Sequence, residues 1–258
     1  MTAKWKALAD RLAAEIENGT RPPGSALPHI LSLVDAGEGS RATVGRAYKE
    51  LEATGYVIST RGHGTVVRDR SRVQVPLSRF ERVLEPGGAR GPWETATAEQ
   101  GLAGRMEVET PAAETLEAPA DVASFLKIDA DAPVIRRRRR AMIDTDVIAL
   151  QEAWYPADVA EAAGLDRPGK VEGGVLAALI AAGIIPAEAD EYVSADTPTA
   201  EQAARLSIGG RVSVLSVDRV TRDRTGRTIE LVRLVGAADR LRLIYAPLPL
   251  KVRTPRNP

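Results

Sequence analysis

Read from its amino terminus, the chain first sets apolar residues three and four apart. Trp5, Leu8, Leu12 and Ile16 share one face of a predicted helix over Lys4–Asn18, and Gly19 stops it. Arg21–Ser25 (RPPGS) is a loop, and Leu27-Pro28 enters a second apolar segment, His29–Ala36, with Ile30, Leu31, Leu33 and Val34. Gly37-Glu38-Gly39 is a turn. A third helix starts at Ser40, whose hydroxyl can accept from a free amide of the first turn. Val44, Ala47, Tyr48 and Leu51 form its buried stripe, and Gly55 follows as a C-terminal stop. The pattern then changes. Tyr56–Thr60 and Thr65–Val67 read as two strands around the turn Arg61-Gly62-His63-Gly64.

Beyond Pro76 the two periods mix. Pro92-Trp93-Glu94 opens a short helix ending by Gly101, Arg105–Leu116 reads as one strand, and Pro119–Leu126 as a helix. Val134–Ile143 and Val147–Tyr155 are strands around Asp144-Thr145-Asp146. Gly174–Ala182 is a helix, Glu188–Ala195 a strand and Thr199–Leu206 a helix. Val212–Arg222 and Thr228–Gly236 form a second hairpin around Asp223-Arg-Thr-Gly226, and Leu241–Ala246 is the last strand. Long hairpins with helices inserted between them predict an α+β fold on an antiparallel sheet. The expected organisation is a helical unit with a hairpin over 1–68, a linker over 69–75, the sheet domain over 76–250 and a tail over 251–258.

Composition narrows the chemistry. With 258 residues, 44% hydrophobic and 27% charged, the chain is long enough for one large or two ordinary domains and can bury a sizeable core. It has no cysteine and two histidines, His29 and His63, which excludes a disulfide framework, a thiol nucleophile and a His-rich metal centre. No metal or cofactor is expected. The N-terminal segment is amphipathic with acidic residues, unlike a signal peptide, and Gly173–Ile185 is too short to span a bilayer. The expectation is a cytoplasmic protein without membrane partners. Net charge is zero, but residues 1–72 carry 11 Lys+Arg against 8 Asp+Glu, so any cationic surface comes from placement.

Placement is suggestive. Arg41, Thr43, Arg46 and Lys49 lie off the apolar stripe of the third helix, beside a basic hairpin with glycines at its tip. This is the outline of a winged helix-turn-helix, in which a helix enters the major groove and the hairpin reaches the backbone. The plain alternative is a helix and a hairpin with ordinary solvated charges. In the run Arg136–Arg140, alternation puts Arg136, Arg138 and Arg140 on one face and Arg137 and Arg139 on the other. One set is expected to be solvated, and the other to point into a cavity where a guanidinium fork suits a carboxylate or phosphate.

The first 68 residues closely resemble the DNA-binding domain of GntR-type transcription regulators, in ALADRLAAEIENG, RPPGSALP, SRATV, AYKELEATGYV and RGHGTVV. The resemblance implies DNA contacts from Ser40, Arg41, Thr43 and Gly64, with His63 beside the last and Arg61 in the same hairpin. Ser40 can serve as N-cap as well, Gly64 can serve turn geometry alone, and Tyr48 suits the core. The pattern departs after Leu27-Pro28, where the family's Ser-Glu-Arg-Glu is replaced by His29-Ile30-Leu31-Ser32. The DNA contact of the family's arginine is then either missing or made by His29. Gly45 occupies a position where the family often has arginine, and Arg46 is its neighbour. These changes imply an operator different from the usual one.

Residues 76–250 resemble the UTRA sensing domain of the HutC subfamily, in APVIRRRRR, DVIALQEAWYP and DRTGRTIELVRLVGAADRLRLIY. That resemblance implies a chorismate-lyase-like fold used for sensing. It implies an effector cavity lined by Arg139 and Glu230, with Arg90 and Trp93 in a loop over it. A second family arginine is replaced by Ala141. Glu152, on the facing strand, is a further candidate. Trp93 can be core alone and Glu230 can be a structural ion pair.

Together these readings give a sequence-specific DNA-binding regulator. It is expected to be a homodimeric repressor on a palindromic operator in double-stranded DNA, controlled by a small anionic effector. The alternatives are a ligand-blind repressor with a degenerate pocket, and a lyase-like enzyme with a DNA-tethering module.

Overall fold

The computed structural model describes residues 3–60, 62, 64–76 and 91–245. The first unit is built from α1 (Lys4–Glu17), α2 (Ile30–Asp35), α3 (Arg41–Ala53), β1 (Val57–Thr60) and β2 (Gly64–Val67), the strands pairing antiparallel. Its core follows the periodicity: Leu8 and Leu12 from α1 meet Val44 and Leu51 from α3 and Val57 and Val67 from the hairpin. Each such aliphatic side chain contributes about 1.5–3 kcal/mol on burial. Ser40 caps α3, its Oγ accepting the Thr43 N–H at 3.2 Å. Tyr48 is core, as the stripe requires. Its hydroxyl donates to the Pro28 carbonyl at 2.6 Å, and burial pushes its pKa up to about 12, against a small opposing pull from Arg21.

The second unit is α+β, as expected. After β3 (Val73–Pro76) and α4 (Pro92–Ala98) come β4 (Gly104–Val108), β5 (Glu114–Glu117), α5 (Ala120–Leu126), β6 (Pro133–Ile143) and β7 (Asp146–Pro156). Then follow α6 (Ala157–Ala162), α7 (Val175–Ala181), β8 (Pro186–Asp196), α8 (Ala200–Arg205), β9 (Val214–Asp223), β10 (Thr228–Ala237) and β11 (Leu241–Ile244). The antiparallel sheet has the order β4-β6-β7-β10-β9-β8, and β5 pairs the other stretch of the β6 edge.

Three elements differ from the sequence reading. Arg105–Leu116 is two strands, β4 and β5, parted at Pro111, which has no N–H to give a ladder. The expected linker contains β3, which pairs parallel with β11 and buries Val73 and Val75. Its alternation Val-Gln-Val is too short to stand out beside three arginines. The helix α6 was not anticipated; it is six residues long and starts directly at the end of a strand, at Pro156.

The units meet at the C-terminal end of α3. The Arg211 N–H donates to the Ala53 carbonyl at 3.1 Å, so the loop before β9 takes up an acceptor that the helix leaves free. Gly209 lies so close that a Cβ there would sit 2.1 Å from the Glu52 carbonyl oxygen. Gly55, at φ +80°, presents its bare Cα to Val212. Arg68 is buried in the same junction and bridges the Gly55 carbonyl (2.8 Å) and the Asp239 carboxylate (2.9 Å).

Candidate functional site

Two sites emerge. The first is the outer face of α3. Capping fixes where the helix starts, and the apolar stripe fixes its rotation, so Arg41 and Lys49 are left exposed. Arg41 has no ion pair or hydrogen bond to its side chain among the described residues. Ser40 and Thr43 sit at the same end, their hydroxyls 3.0 Å apart. Arg46 is also exposed, but its guanidinium lies over the Trp5 ring at 4.2 Å from the centroid, a cation–π contact that orients it. Trp5 is thereby a shelf for Arg46 as well as an apolar residue of α1. His29 is exposed just before α2 and makes no capping bond. Gly64 stands at φ +76° with open space around it, so none of the described residues blocks a close approach. Arg61 and His63 lie outside the described residues.

The second site is a cavity of about 250 Å³ on one face of the sheet. Arg139 and Gln151, paired across β6 and β7, line it, with Trp93 from α4 and Glu230 from β10. The arginine run divides as alternation requires. Arg137 and Arg139 face the cavity; Arg136, Arg138 and Arg140 face the other way. That second set is not simply solvated. Arg136 and Arg138 hold Glu114, Arg140 holds Glu107, and Arg205 of α8 closes on Glu109. The hydrogen bond from Arg136 holds the Glu114 carboxyl below the ordinary carboxylate range, against partial desolvation.

Inside the cavity the two arginines do different work. Arg137 is 3% exposed and spends its guanidinium on backbone carbonyls of Leu165 (2.6 Å), Arg167 (2.9 Å) and Gly169, which pins the loop leading to α7. Arg139 has no ion pair or hydrogen bond among the described residues, and its Nε is buried without a partner. Glu230 is 2% exposed and fully engaged: the Tyr155 hydroxyl donates at 2.8 Å, the Thr221 hydroxyl at 3.0 Å and Arg219 at 3.1 Å. Burial pushes its carboxyl up, but Arg219, Tyr155 and Arg139 outweigh it and hold it below the usual range. Burial, reinforced by Glu230, raises the Tyr155 phenol well above its ordinary value.

Trp93 is both core and wall: its indole N–H donates to the Met142 carbonyl at 3.1 Å. Glu152 is not at the cavity. Counted from the turn, where Ile143 faces Asp146, it would oppose Arg137. An irregularity between Ala141 and Met142 shifts the register by one, so Glu152 opposes Arg138 on the far face. Arg90 lies outside the described residues. The sequence reading passed over Arg219, Thr221 and Tyr155. Counting from the turn of the second hairpin, where Thr228 faces Arg222, would have set Val220 opposite Glu230; an irregularity between Thr228 and Glu230 shifts the register by one, so Glu230 pairs with Thr221, and Arg219 is two residues away on the same face.

Comparison with known proteins gives each unit a family. A model of "bacterial regulatory proteins, gntR family" matches residues 4–67, and a UTRA-domain model matches residues 101–242. The chain belongs to the GntR family of transcription regulators, in the HutC arrangement of a DNA-binding unit followed by a UTRA domain. An HTH-type transcriptional regulator of Streptomyces coelicolor is 32% identical over 246 residues, covering 94% of this chain and 91% of that protein. A crystal structure described as a GntR-family transcriptional regulator superposes with a TM-score of 0.60 at 27% identity, covering 97% of this chain and 99% of the other. PhnF from Mycobacterium smegmatis shares the fold, with a TM-score of 0.58 at 24% identity and 95% and 98% coverage. These relatives are transcription regulators, not enzymes, which sets the lyase alternative aside. Among the described residues no helix is long and apolar enough to cross a membrane.

Proposed function

We propose that the protein is a cytoplasmic repressor that binds a palindromic operator as a homodimer and releases it when a small anion enters the sheet-domain cavity. Arg41 reads a base edge, a guanidinium fork on guanine being worth about 1–3 kcal/mol of discrimination. Ser40, Thr43, Arg46, His29 and the hairpin with Arg61, His63 and Gly64 fix register on the phosphates and backbone. Two copies supply two half-sites, which one short helix needs for useful affinity. The edge strand β8, with Tyr192 and Val193 uncovered, offers a surface to the second copy.

The observation that carries this reading is the junction at Ala53, Gly55, Arg68 and Arg211. It ties the end of the recognition helix to the loops before β9 and after β10, in the sheet that also holds Arg139. A ligand that favours one arrangement of that sheet biases the helix by the difference in its affinity for the two. The test is binding of the full-length protein to its own upstream DNA across a salt series, with and without a panel of small anions. Specific binding that survives rising salt and is weakened by one anion is the expected result. Binding that disappears with salt on every DNA alike would be phosphate attraction only, and would sink the proposal.

A further inference from the structure

The cavity's charges and walls specify a chemical class of ligand. Among the described residues lining it are four cations, Arg137, Arg139, Lys170 and Arg219, and three carboxylates, Glu94, Glu191 and Glu230, so one positive charge is in excess. Most of these are already committed. Arg137 is held by three backbone carbonyls and Glu230 by three donors, Arg219 among them. Lys170 is exposed at the rim. Arg139 alone projects a guanidinium at the cavity without a partner among the described residues. Position 141, next on the same face of β6, is Ala141, 1% exposed, which supplies no second fork.

The remaining wall is mostly apolar, with Trp93, Met106, Val108, Val217, Val232 and Leu234 among its residues, and among the described residues Gln151 is its one uncharged polar side chain. A polyol placed there would lose hydration at each hydroxyl with few partners in return, at a cost of about 1–3 kcal/mol for each unpaired group. A dianionic phosphate would leave one charge uncompensated beside Glu94 and Glu191. A single planar carboxylate matches a single guanidinium fork, and an apolar body matches the wall. The cavity, about 250 Å³, is smaller than the ~300–1,000 Å³ that holds a drug-sized ligand, so the body is small.

We propose that the cavity binds a small monocarboxylate with an aliphatic or aromatic body, its carboxylate on Arg139, in preference to a sugar phosphate. This rests on reading the cavity as the effector site.

The test is calorimetric titration of the full-length protein with octanoate, 3-phenylpropionate, octanol and glucose 6-phosphate. At least one of the two carboxylates should bind, octanol should bind more weakly, and glucose 6-phosphate should not bind. R139Q should weaken the carboxylate by about tenfold or more, the range expected for loss of a charge-assisted hydrogen bond. R139K, which keeps the charge but loses the fork, should fall between, provided both variants show a cooperative thermal transition. Binding of glucose 6-phosphate with neither carboxylate would overturn the proposed class and leave the effector-site reading standing. Equal carboxylate binding by the wild type, R139Q and R139K would place the ligand elsewhere and overturn the proposal. Binding by none of the four overturns it too, and operator binding by the same preparation then shows whether the regulator reading survives separately.

Discussion

The recognition face and the cavity use charge in opposite ways. On α3, Arg41 stands exposed and, among the described residues, unpaired. In the cavity, Glu230 is sealed and triply bonded, and Arg137 is locked to a loop. A surface meant for DNA keeps its cations solvated until phosphates and bases replace the water. A buried pocket must satisfy its ions before any ligand arrives, because an unpaired buried charge costs several kcal/mol. In the proposed reading a charged residue in the first site serves the partner, while most charged residues in the second serve the fold. Arg139 is the exception that makes the pocket a site.

Three substitutions bear on this contrast. Glu230→Ala should have the largest effect, destabilising the sheet domain by about 3–5 kcal/mol because Arg219 and Tyr155 lose their shared partner. A urea unfolding curve measures it, and an unchanged midpoint would mean that this carboxylate is not structural. Arg41→Ala should do the reverse: unchanged unfolding, and loss of about 1–3 kcal/mol, roughly fivefold to 150-fold, in affinity for the operator over random DNA. Retained discrimination in a competition binding assay would show that the helix is not read through Arg41. Ser40→Ala should have the smallest effect, about 1 kcal/mol of stability from the lost cap. A thermal melt without DNA reports that part; any further loss appearing only in operator affinity would show the hydroxyl touching DNA as well.

The same contrast explains what was legible in the sequence. The recognition face is local: Ser40, Arg41 and Thr43 fall within one turn, and the stripe Val44, Ala47, Tyr48 and Leu51 sets which way they point. Helix periodicity alone suffices to place them. The cavity joins Trp93, Arg139 and Glu230, which are brought together only by strand register. The parity of the arginine run was readable, because alternation is a property of one strand. Which residues of β7 share that parity was not, because the irregularity at Ala141 and Met142 leaves no mark in composition, and counting from the turn alone puts Glu152 on the wrong face. Strand β3 escaped for a related reason: its partner, β11, lies far along the chain.

The junction at Gly209 has a meaning for how such proteins can be recombined. The approach to the Glu52 and Ala53 carbonyls is closer than any side chain allows, so the two units are fitted at a surface and not strung on a tether. A chimera that joined this DNA-reading unit to a foreign sensor would need more than a compatible splice after Val67. It would also need a glycine where the sensor's loop meets the helix end, an amide to meet the Ala53 carbonyl, and a carboxylate to receive Arg68. Without them the graft would yield two working parts that do not speak to each other.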